Sequence, residues 1–127
     1  TRAVLPAMQS RGYGRIVNVA SVTGPVVTIE GTAGYSAAKA AMTGLTRTTA
    51  LENAGLGITC NAVLPGWIAT GSATAREIAA GKRSPTGRPG RPGEVASACV
   101  FLASEEASYI NGAMLVVDGA NSLVEMK

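Results

Sequence analysis

Two short apolar runs, at residues 16–20 and 58–64, limit what this chain can fold into more than any other feature. Each is rich in branched side chains and lacks the alternation of a strand wetted on one face, so each is predicted to be a strand buried on both sides. Asn18 is the one polar interruption of the first run. A third run, at residues 114–117, follows the turn signal of Asn111 and Gly112. Helical spacing fills the intervals, so strand and helix alternate, and right-handed crossovers would lay the three strands in one parallel sheet. The predicted fold class is α/β, three parallel strands with flanking helices, in one unit over residues 1–127 with no internal repeat or linker.

Residues 1–9 read as the tail of a helix with Val4, Leu5 and Met8 on one side, closed by a turn through Arg11, Gly12 and Gly14. The next helix is predicted to begin near Thr32, whose hydroxyl would cap free amides, and to stop near Asn53, ahead of Gly55 and Gly57. Ala38, Met42 and Leu45 form its predicted core stripe. Beside it Ala37, Ala41, Gly44 and Thr48 are all small and admit a second helix at close range, from another subunit or from the same chain. Residues 71–91, with Gly71, Gly81, Pro85, Gly87 and Pro89, resist regular assignment and are read as a covering loop. Pro92 fits the first turn of a further helix, with Val95, Cys99 and Leu102 in one apolar row and Ala96, Val100 and Ala103 in another.

Composition excludes several classes of function. Apolar residues make up 46% of the 127, charged ones 15%, which suits a packed core and not a disordered tail. The chain has no histidine, which removes serine-histidine hydrolases and most zinc sites, and no metal centre is predicted. Cys60 and Cys99 form no C-x-x-C pair and sit in apolar runs, so they read as reduced thiols of a cytoplasmic protein. No apolar stretch is long enough to span a membrane. Much of the net charge of +3 lies in residues 76–91. That segment reads as a solvated loop, with an anionic ligand or nucleic acid as the alternative; because it has no stacking aromatics, no nucleic-acid partner is predicted.

Tyr35 and Lys39 stand four apart in the predicted helix and share a face. A phenol donates a proton readily at neutral pH, and its anion persists only beside a cation, which an ammonium one turn away and the first turn of a helix both supply. Ser21 closes the first buried strand, and Pro65 and Gly66 close the second. Ligands of parallel sheets bind beyond the carboxyl ends of the strands, so all these residues are predicted on one edge. Asn18 and Asn61 are read as structural, tying strand ends to loops, and Asp118 as a ligand of nearby backbone groups.

Five stretches carry a resemblance: G-R-I-V-N-V-A-S from Gly14, G-Y-S-A-A-K-A-A from Gly34, N-A-V-L-P-G from Asn61, G-R-P-G-R-P-G-E-V-A from Gly87 and V-D-G-A from Val117. In this order they resemble the short-chain dehydrogenases/reductases, particularly the 3-oxoacyl carrier-protein reductase-like members. The resemblance implies the C-terminal half of a Rossmann-like doubly wound sheet. It implies that Tyr35 exchanges a proton with the substrate oxygen, that Ser21 holds that oxygen, and that Lys39 binds nicotinamide ribose hydroxyls. It further implies that Pro65, Gly66, Ile68 and Thr70 seat the nicotinamide end of NAD or NADP, with a small carbonyl or alcohol, such as a 3-oxoacyl thioester, as substrate.

Some of the family pattern is missing. The glycine-rich T-G-x-x-x-G-x-G turn, the N-N-A-G segment and the asparagine of the proton relay do not occur in these 127 residues, and Gly71 and Ser72 stand where many relatives carry an acidic residue and Met. The chain, opening in mid-helix, is therefore read as a partial domain lacking its front cofactor-binding half, and a non-catalytic structural fragment is the alternative. A homo-oligomer through the helix of residues 35–53 and the C-terminal strand is the expected assembly.

Overall fold

A computed structural model of the chain describes residues 1–124. Helix α1 (Leu5–Arg11) is closed by Gly12, whose left-handed backbone returns its N–H to the Gln9 and Met8 carbonyls. Strand β1 (Gly14–Val19), helix α2 (Ala33–Asn53) and strand β2 (Ile58–Pro65) follow. Helices α3 (Ala75–Gly81) and α4 (Pro92–Leu102) precede strand β3 (Met114–Val117). The sheet order is β1-β2-β3, with Val19 opposite Val63, Pro65 opposite Val117, and both pairings parallel. The α/β class and the three parallel strands are as the sequence predicts. Among the described residues no helix is long and apolar enough to cross a membrane.

Strand periodicity assigns the two faces of the sheet. Ile16, Ile58 and Cys60 pack with Ala50 of α2 and with Leu5 and Met8 of α1, while Ala62, Leu64 and Met114 pack with Met42 of α2. The alternate residues point the other way. Among them Arg15 reaches the Ser104 carbonyl and Glu105, just beyond α4. Helix α4 therefore covers the face opposite α2, and β2 is buried on both sides.

This arrangement corrects one expectation. Both connections step the same way across the sheet, yet their helices lie on opposite faces, so the two crossovers have opposite hands and cannot both be right-handed. Strand β1 is not buried on both faces along its whole length: on the α4 face Arg15 and Val17 are half-buried, but Val19 is 48% exposed. As an edge strand at the rim of that face it has too little of α4 over it.

Helix α2 buries a different stripe from the one predicted. Thr43, Thr46, Thr49, Ala50 and Asn53 face inward, Met42 is half-buried, and Ala38 and Leu45 are exposed. The threonines tolerate burial because their hydroxyls bond within the helix, Thr46 to the Met42 carbonyl and Thr43 to the Ala40 carbonyl, both at 2.7 Å. Thr32 does occupy the N-cap, but its hydroxyl donates to the Ile29 carbonyl instead of capping an amide. Asn18 donates to the Thr46 hydroxyl at 2.8 Å and so ties β1 to a helix, not to a loop. Asn61 does hold a loop, donating to the Ile110 carbonyl and accepting from the Ala113 N–H.

The segment 71–91 is not wholly irregular. Thr74 and Glu77 form a reciprocal capping box that starts α3. In α4 Pro92 takes the first turn as predicted; Val95, Cys99 and Leu102 face inward, and Ala96, Val100 and Ala103 are exposed. Both cysteines are free thiols.

Candidate active site

Three elements meet at the carboxyl edge of the sheet. Beyond the end of β1 the ladder with β2 continues, Ala20 donating to the Val63 carbonyl at 2.9 Å and Val22 to the Pro65 carbonyl at 3.1 Å. Ser21 lies between these two bonds and is thus set beside the Pro65-Gly66 turn. Its oxygen accepts the Thr23 N–H at 3.1 Å. A hydroxyl whose oxygen is occupied as an acceptor keeps its proton to donate, as a residue holding a carbonyl oxygen requires. Ser21 is buried.

Helix α2 arrives beside the same edge. Gly24, three residues past Ser21, lies so close to α2 that an added Cβ would fall within contact of the Ser36 carbonyl and 3.1 Å from the Ser36 Cα. Its φ of +111° suits glycine alone. Ser36 is the neighbour of Tyr35, so this contact fixes the Ser21 loop against the first turn of the helix. The Lys39 ammonium donates to the Val19 carbonyl at 3.0 Å and lies 5.7 Å from the centroid of the Tyr35 ring. Tyr35 is 51% exposed.

The Pro65-Gly66 turn is equally tight. Gly66 donates to the Val117 carbonyl at 3.1 Å, and a Cβ on Gly66 would fall 2.6 Å from the Asp118 Cβ. Asp118, as predicted, accepts the Ala120 and Ser122 N–H groups. Past the turn, Ile68 bridges to Gly90, and the Thr70 hydroxyl is 3.2 Å from that of Ser72. A cavity of about 210 Å³, lined by Trp67, Ile68, Arg88, Glu94 and Val117, lies under this segment on the α4 side.

The sequence and the fold both match those of known proteins. A family model described as enoyl-(acyl carrier protein) reductase matches residues 1–120. The chain belongs to the short-chain dehydrogenase/reductase family. Among its family relatives, the cyclohexanol dehydrogenase of Acinetobacter sp. (strain SE19) is 46% identical over 117 residues, 91% of this chain and 46% of that protein. The 3-oxoacyl-[acyl-carrier-protein] reductase of Vibrio harveyi is 44% identical over 128 residues, 98% of this chain and 52% of that one. The crystal structure of acetoin dehydrogenase from Enterobacter cloacae superposes with a TM-score of 0.86 at 36% identity, over 99% of this chain and 51% of that one. The chain thus spans about half the length of the curated relatives it matches.

Two contributors to this junction were missed at the level of sequence. Gly24 was available as a signal, a glycine three residues past a strand-end serine, where close backbone approach is one of the few reasons for glycine. The second is Glu94. Its carboxylate accepts both arms of the Arg88 guanidinium, at 2.9 and 2.7 Å, and the Arg91 N–H at 2.7 Å. These bonds, Arg88 first, pull its carboxyl down to about 2. Two of the basic residues of segment 76–91 are therefore engaged internally, while Arg76, Lys82 and Arg83 face solvent.

Proposed function

We propose that the protein carrying this chain is an NAD(P)-dependent oxidoreductase interconverting a carbonyl and a secondary alcohol, with Ser21, Tyr35 and Lys39 as catalytic residues. The observation that carries this reading is the meeting of Ser21, the Tyr35-Lys39 turn and the Pro65-Gly66 turn at one sheet edge, held by the Val22-Pro65, Lys39-Val19 and Gly24-Ser36 contacts. Residues 1–127 are then the rear part of a single domain.

The donors left over on this edge fit the nicotinamide end of such a cofactor. Among the described residues the Ile68 N–H has no hydrogen-bond partner, and the Lys39 ammonium has two protons beyond the one given to Val19. Ile68, with Pro65, Gly66 and the Thr70 hydroxyl, would hold the carboxamide side, and Lys39 with Tyr35 the ribose hydroxyls. The bound cofactor supplies or accepts the hydride. Ser21 holds the substrate oxygen by donating its free proton. Tyr35 gives its phenolic proton to that oxygen during reduction and takes it back during oxidation. Lys39, anchored on Val19, keeps a positive charge beside the phenolate so formed.

A 3-oxoacyl thioester is the substrate we favour, supported by the reductase of Vibrio harveyi among the relatives. A homo-oligomer is supported by the exposed apolar surface of α2, where Leu45 is 52% and Leu51 81% exposed, and by Leu115 and Val116 on β3. The two free thiols fit a cytoplasmic location. Replacing Tyr35 with Phe in the full-length protein tests the reading. Turnover should drop about 100- to 10,000-fold while folding and cofactor binding stay intact; undiminished turnover overturns the assignment.

A further inference from the structure

Residues 88–91 touch three parts of the molecule at once. Gly90 bridges to Ile68: its carbonyl accepts the Ala69 N–H and its own N–H donates to the Trp67 carbonyl, both at 2.8 Å. Among the described residues, the only other backbone bond to residues 67–69 is the local turn from Thr70 to the Ile68 carbonyl. The fit is close, since a Cβ on Gly90 would fall 2.7 Å from the Ile68 Cδ1. Pro89 lies against the last residue of α3, where a Cβ on Gly81 would fall 2.9 Å from the Pro89 Cα. Arg88 and Arg91 both turn to Glu94 in the first turn of α4.

Glu94 takes four donors on two oxygens. Oε2 accepts Arg88 Nη1 and the Arg91 N–H; Oε1 accepts Arg88 Nη2 at 2.7 Å and Arg91 Nη2 at 3.3 Å. Only a carboxylate can do this. A glutamine has one acceptor oxygen and would aim its own N–H groups at the guanidinium.

We propose that Glu94 is a positioning residue for the nicotinamide end of the site: by gathering Arg88 and Arg91 it fixes the Gly90–Ile68 bridge, and through it the Ile68 N–H, the Thr70 hydroxyl and the end of α3. This rests on the oxidoreductase reading given above. It makes the clamp, which touches no reacting atom, a determinant of how well the cofactor's nicotinamide is seated and not of whether its adenine half binds.

The full-length protein is compared with Glu94→Gln and with Arg88→Gln, which spares the bond from Glu94 to the Arg91 N–H and hence the start of α4. Hydrogen exchange at the Ala69 and Gly90 amides should quicken, and the affinity for NADH or NADPH should fall, each on the order of tenfold, the loss of a charge-assisted hydrogen bond. Affinity for ADP-ribose, or its 2′-phosphate for an NADP enzyme, should not change, because that probe lacks nicotinamide. Glu94→Asp, which keeps the charge, should recover part of both losses. Unchanged exchange in both variants overturns the proposal, as does an equal weakening of NADH and ADP-ribose, which would mean general loosening. Should the wild-type protein bind neither NADH nor NADPH, the redox reading and the cofactor part of the proposal fall together, and exchange at Ala69 still decides whether Glu94 holds the segment.

Discussion

Replacing Gly24 with alanine tests whether the contact between the Ser21 loop and α2 sets the geometry of the residues proposed as catalytic. Two costs follow from the structure. At a φ of +111° an alanine is strained, by about 1–2 kcal/mol if the penalty resembles that of left-handed backbone. The new methyl would also stand 3.1 Å from the Ser36 Cα and closer still to its carbonyl, against carbon contacts that are best at about 3.5–4.0 Å. Ser36 sits in a helix and its carbonyl cannot swing away, so the loop must retreat by roughly half an ångström or more. Misplacement on the order of 1 Å in a catalytic constellation costs up to about 100-fold in rate. In the full-length protein, turnover by the reaction proposed above should therefore fall about 10- to 100-fold, with affinity for NADH or NADPH retained because Lys39 and Ile68 are untouched. Steady-state kinetics, cofactor titration and thermal unfolding together make the assay. A variant that folds, binds cofactor and turns over like the wild type would refute the claim that this contact spaces Ser21 from Tyr35.

Two further outcomes are expected. Asn61→Ala leaves the half-buried Ile110 carbonyl and Ala113 N–H without their partner, and denaturant unfolding should show a loss of about 1–3 kcal/mol in all, with β3 the first element to lose exchange protection. Leu45→Glu places a charge on the exposed apolar face of α2 and should shift the protein toward monomer in sedimentation velocity without changing its fold; an unaltered assembly would move the interface elsewhere.

The sheet was legible because its strands are runs of branched residues whose burial is a matter of composition, and β2 differs from expectation by the single residue Pro65. The face of α2 was not. Hydropathy ranks Leu45 above Thr46, yet Thr46 can bond to Met42 behind it and to Asn18 in front of it, which makes a polar residue the better core residue there. Helix α3 went unread because its signal is the four-residue pattern from Thr74 to Glu77 inside a segment dominated by glycine and proline. The hand of the second crossover is absent from any local pattern, since it depends on which face α4 reaches. Of the candidate site, the residue types and their order along the chain were legible. What brings them together was not, because the Gly24-Ser36 approach and the Glu94 clamp are made by backbone and charge across gaps in the sequence.

Because its two neighbouring helices lie above and below it, β2 works as a keel. The segment from Gly66 to Arg91 leaves from its tip, at the carboxyl edge of the sheet. On the oxidoreductase reading proposed above, that segment is where length and charge can change without disturbing the Val22-Pro65 and Lys39-Val19 bonds that hold Ser21 and Lys39 at the edge.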